Sequence, residues 1–197
     1  LWTSITAIGQ TLAPQQTASL YDHMKEVNKV WSTFYAEVPD WLEEPVNFDN
    51  DTERIKQHLL LVINKLSQKE DGAVTKPSQW KTHQWNNRVS LLAELSSYAS
   101  ARQFPKNIYH DARQPYFIDH EGTHCAVGYL IKQSGHGDFA QYISDKVNYA
   151  YVEDMHFPEL LSWATEYGFE KQELAWIQPG YPPEPMDFDI PGNGIGP

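Results

Sequence analysis

Apolar residues recur along most of the chain at spacings of three and four, the period of helices that bury one face. Leu20, Met24, Val27, Trp31, Phe34 and Val38 form the first stripe, which the sequence opens near Pro14 and stops at Pro39. Residues 39–49, with two prolines, Trp41 and several carboxylates, read as a connecting loop. Asn50 with Glu53 three residues on gives a cap signal for a second helix carrying Ile55, Leu59, Val62, Ile63 and Leu66, ended by Asp71-Gly72. His58 beside this stripe reads as a packed or solvent-facing histidine rather than a ligand.

A third helix is expected from Trp80 or Gln84 to Arg102, with Val89, Leu92, Leu95 and Ala99 buried. Residues 103–118 read as an irregular connector rich in aromatics, with His110 in it. Later helices are expected in the apolar pattern after residue 124, near Asp138, after Pro158 up to Gly168, and over 170–177. A short extended piece is expected at Tyr149–Val152. The final twenty residues hold six prolines and four glycines, which exclude helix and central strand. The expectation is an all-α fold of six or seven helices: a helical domain over residues 1–177, then a Pro/Gly-rich tail or arm over 178–197.

Composition narrows the function classes. No apolar run approaches the roughly 20 residues that span a bilayer, so membrane insertion is not expected. The net charge of −11 disfavours nucleic acid and anionic surfaces. A single cysteine, Cys125, allows neither an internal disulfide framework nor a multi-cysteine zinc site. The start at Leu1 suggests a removed signal peptide, and hence a secreted or periplasmic protein.

Chemistry concentrates between Asp119 and Cys125, where two histidines, two carboxylates and the cysteine fall within seven residues. His120-Glu121-Gly122-Thr123-His124 is an H-E-x-x-H pattern, which on a helix places two imidazoles on one face with a carboxylate beside them. Here the chain resembles the zincin metallopeptidases. That resemblance implies His120 and His124 as ligands of a divalent metal such as zinc, and Glu121 as general base toward a metal-bound water. A third ligand would come from Glu153, His156 or His110. His136, twelve residues past His124, lies about 18 Å away along a continuous helix and is too far. Against the helix stand Pro115 and Gly122.

A later helix start, with Thr123 as N-cap, would instead place Cys125 in a first turn, where the helix dipole favours thiolate. That arrangement is similar to the papain and transglutaminase-like one, and would make Cys125 a nucleophile with His156 or His110 as partner. A non-catalytic binding or interaction protein using aromatic and acidic surface loops is the alternative from another class. The leading expectation is an exported metal-dependent hydrolase acting on a small molecule or peptide. Where the helix begins, at Asp119 or at Thr123, decides among these.

Overall fold

In a computed structural model of the chain, residues 17–35, 37–67 and 80–184 are described. They form an all-α arrangement of nine helices: α1 Leu20–Val27, α2 Trp31–Phe34, α3 Asp40–Glu43, α4 Asp51–Ser67, α5 Thr82–Ala101, α6 Ala126–Gln133, α7 Gly137–Val147, α8 Pro158–Glu166 and α9 Lys171–Ile177. One 3-10 turn, Val152–Asp154, lies between α7 and α8. Among the described residues there is no strand beyond isolated bridges, and no helix is long and apolar enough to cross a membrane.

The first apolar stripe does not make one helix. Ser19 caps α1 through Asp22 N–H at 3.1 Å, and the helix stops at Asn28, whose backbone is extended. The Asn28 amide accounts for the break: its Nδ2 donates to the carbonyls of Ala175, Trp176 and Gln178, and its Oδ1 accepts Val30 N–H. A buried amide that satisfies four backbone groups, three of them 147 to 150 residues away, outweighs one more turn of helix. Chain direction then changes twice, through α2 and α3, so that Trp31, Phe34 and Leu42 still reach the core. Pro14 and the Asp71-Gly72 stop lie outside the described residues.

The second and third expected helices are α4 and α5, packed along each other. Asn50 Oδ1 accepts Glu53 N–H at 3.0 Å, as the cap signal requires. The buried face of α5 is rotated from the expected one. Val89 is 48% exposed, and Arg88 takes a core position with Leu91, Leu92, Leu95, Tyr98 and Ala99. Arg88 can be buried because its guanidinium forks onto Glu173 with both contacts at 2.8 Å, and also donates to the carbonyls of Gly168 and Leu66.

At the centre lies α6, packed against α5 and α7, with Ala126, Val127, Leu130 and Ile131 all without exposure. A short helix apolar on nearly every side can only be a central one. Asp138 falls inside the first turn of α7, whose N-cap is His136, and the Tyr149–Val152 piece ends in the 3-10 turn. Beyond α9, residues Gln178 to Tyr181 are buried, and Tyr181 and Pro183 bridge to Gln114 and Asn107. The loops 103–118 and 178–184 thus hold each other over one end of α5 and α6. The rest of the Pro/Gly-rich segment, 185–197, lies outside the described residues.

Candidate functional site

The dense stretch folds as a tight turn, and the helix that H-E-x-x-H needs is absent. Ile118 and His124 face each other as an antiparallel bridge, Cys125 N–H donates to Phe117 O at 2.8 Å, and Asp119 N–H donates to Thr123 O at 3.0 Å. Asp119 organises the tip. Its Oδ1 accepts the N–H groups of Glu121 and Thr123, and its Oδ2 accepts Lys106 N–H from the neighbouring loop. A carboxylate that binds the N–H groups two and four residues ahead offers the backbone an alternative to helix. Gly122 completes the reversal at φ +81°, a left-handed conformation that glycine adopts without penalty.

The side chains of the motif consequently diverge. His120 is exposed, edge-on to the Tyr109 ring, with Nε2 3.7 Å from Glu121 Oε1. Glu121 pairs with Lys106 Nζ at 2.8 Å. His124 is half-buried with Nδ1 donating to Gly122 O, and burial, then the nearby Lys132 charge, lowers its pKa. Glu153 binds Lys29, and His156 is exposed after the 3-10 turn. Among the described residues no three His, Cys, Asp or Glu side chains converge to hold a metal ion. His120 and His124 therefore do not form a ligand pair on a common helix face, and none of His110, Glu153 or His156 completes a set with them. The residues present do not fit a zincin centre, and no step through a metal follows from this geometry.

Cys125 also departs from expectation. It is the N-cap of α6, not a first-turn residue, and its Sγ accepts Gly128 N–H at 3.3 Å. The thiol has no exposure, and burial pushes its pKa up to about 12. Desolvation outweighs the backbone hydrogen bonds that favour thiolate, so the expected activation is reversed.

The geometry does bring together a cleft of about 520 Å³ beside the Asp119 turn. Ile55, Phe104 and Tyr181 line it together with Arg102, Lys106, Asp51, Glu121 and Glu184. Each cation is paired, Lys106 with Glu121 and Arg102 with Glu53. The sequence reading found Glu121 and missed the rest, because the walls come from four separate segments.

A second group begins at the residue after Lys106. Asn107, fully buried, donates through Nδ2 to Ala112 O and Tyr181 O, and accepts Tyr116 O–H and His110 N–H at Oδ1. Asn148 does the same for the turn itself, with its Oδ1 on Ile118 N–H and its Nδ2 on Ile118 O. Nothing in the spacing of these asparagines sets them apart from loop residues. No protein-family model, curated protein or solved structure matches the chain.

Proposed function

We propose that the chain is a binding protein that takes a small polar ligand or short peptide in the cleft beside the Asp119 turn. The observation that carries this reading is the set of paired charges on the cleft walls, led by Lys106–Glu121 at 2.8 Å with both side chains about half exposed. Exposed ion pairs contribute only about 0–1 kcal/mol, so a ligand bearing both charge signs can replace each partner at little cost. Its carboxylate would meet Lys106 and Arg102, and its ammonium Glu121 and the exposed Glu184. Ile55, Phe104 and Tyr181 among the lining suit a ligand with an uncharged middle. Catalysis is not part of the reading: the acid, base and nucleophile candidates are dispersed, paired or buried.

A titration followed by NMR tests this, with trialanine as the zwitterionic probe and its acetylated, amidated form as control. Free trialanine should shift resonances at 102–107, 121–123 and 181–184, and Lys106→Ala should weaken it about tenfold. Stoichiometric zinc bound by the native protein and lost on His124→Ala would overturn the reading in favour of a metal hydrolase.

A further inference from the structure

We propose a second binding site, for a linear polyamine, in the cleft between the start of α7 and one face of α8. It shares no lining residue with the cleft beside the Asp119 turn and does not depend on what occupies that one.

The inference starts from a spacing in α8. Glu159, Ser162, Trp163, Glu166 and the C-cap Tyr167 follow one another at steps of three and one, which keeps them on one helical face. All five line a single cleft of about 680 Å³. His136 and Phe139, at the start of α7, line it with them.

The polar tips of two of these rings are already spent. Trp163 Nε1–H donates to Ser134 Oγ at 2.9 Å, and the Tyr167 hydroxyl donates to Ser134 O at 3.1 Å. Ser134 is fixed in turn, its own hydroxyl donating to Ile131 O at 2.7 Å. Trp163 stacks on Tyr167 with centroids 5.2 Å apart, and His136 stands near perpendicular to the same tyrosine at 5.7 Å. What Trp163 and Tyr167 add to the cleft is therefore apolar surface held in place.

The charges stand at the two ends of α8. Glu159 lies in its first turn and Glu166 is its last residue, seven positions on, a rise of roughly 10 Å. Side chains lean the same way along a helix, so the two glutamates keep that separation. Both are exposed, and no lysine or arginine among the described residues lines the cleft with them. Glu166 has His83 Nε2 at 3.5 Å, a contact between side chains about half exposed, which a ligand replaces at little cost.

Two carboxylates two helical turns apart across an apolar strip call for the inverse pattern, an ammonium at each end of a flexible methylene chain. Spermidine has that pattern and, extended, that length. A monoamine meets one carboxylate only, and a diamine half as long cannot reach both. The net charge of −11 attracts all such cations without selecting among them, so dependence on ligand length is the mark of this site.

NMR titrations at low ionic strength test it, with spermidine, putrescine, hexylamine and diacetylspermidine, whose terminal nitrogens carry no charge. Spermidine should shift resonances at 136–139 and 158–167 with a Kd on the order of 1 mM, about fivefold tighter than each of the others. Glu159→Gln and Glu166→Gln, exposed positions that leave the fold intact, should each bring spermidine down to the level of hexylamine. No response to spermidine, putrescine or diacetylspermidine binding as tightly as spermidine, or shifts spread over the acidic surface and unchanged in both glutamine variants would each overturn the proposal.

Discussion

Asp119 and Thr123 sit four residues apart, and the carboxylate of the first takes the backbone N–H of the second at 2.8 Å. In a helix that N–H would have met a carbonyl instead, so this one contact separates a turn from the helix on which a metal motif depends. Asp119 is 8% exposed and accepts three backbone N–H groups, from Lys106, Glu121 and Thr123. Asp119→Ala should lower stability by about 2–4 kcal/mol, and Asp119→Asn, which keeps one acceptor oxygen, by about 1–2 kcal/mol. Urea unfolding of the three proteins checks the order. If the alanine variant is as stable as the parent, the turn does not depend on the carboxylate.

Two glycines in left-handed conformations should respond differently to the same change. Gly122 at φ +81° has open space where a Cβ would go, so Gly122→Ala carries only backbone strain, about 1 kcal/mol. Gly168 at φ +71° ends α8 against α5, and a Cβ there would lie 2.6 Å from Gln84 O and 3.1 Å from Arg88 Cβ. Relief would require moving backbone that also holds the Arg88–Glu173 pair. Gly168→Ala should therefore destabilise by about 3 kcal/mol or more. Equal urea midpoints for the two variants would contradict this account of the α5–α8 contact.

Cys125 should behave as a packing residue. With its pKa pushed up to about 12 and no exposed surface, its alkylation by iodoacetamide at pH 8 should run on the order of a thousandfold slower than that of free cysteine. Unfolding in urea should restore the ordinary rate. Cys125→Ser should stay within about 1 kcal/mol of the parent, since a hydroxyl caps Gly128 N–H better than sulfur while tolerating the apolar site less well. A native thiol that reacts as fast as free cysteine would reopen the thiol-enzyme reading.

The helices were legible where periodicity and a local cap agreed, as at Asn50 with Glu53 and at Pro158 with Gly168. They were misread where a side chain bonded to something distant. The stripe from Leu20 to Val38 has flawless helical spacing, yet Asn28 breaks it because its partners are carbonyls 147 to 150 residues away. Arg88 was absent from the expected buried face because Glu173, 85 residues on, was not visible as its partner. The Asp119 turn was half legible: Pro115 and Gly122 opposed a helix, but the three N–H groups on one carboxylate were not foreseeable from residue type. The site proposed beside that turn shares the difficulty, being assembled from loops that three buried amides, Asn28, Asn107 and Gln178, and the half-buried Asn148 tie together.

His58 connects sequence, core and pH dependence. It lies on α4 without exposure, its Nδ1 accepting Trp31 Nε1–H at 2.8 Å, and its Nε2 is buried with no hydrogen-bond partner. Burial lowers its pKa to about 3, with the Trp176 backbone working the other way. The unfolded chain binds this proton near pH 6.5 and the folded one only near pH 3, so the unfolded state holds more protons between those values. The contribution of His58 is therefore fully present above about pH 6.5 and is lost as pH falls through that window, with a limiting slope of about 1.4 kcal/mol per pH unit. In His58→Gln, an amide oxygen can still accept from Trp31 while nothing titrates. Urea unfolding at pH 7, 6, 5 and 4 should show the parent losing stability relative to this variant at each step, the carboxylate contributions common to both cancelling in the difference. Parallel curves for the two proteins would mean that His58 takes up its proton as readily in the fold as in the unfolded chain, which a hydrogen bond from Trp31 to Nδ1 does not permit.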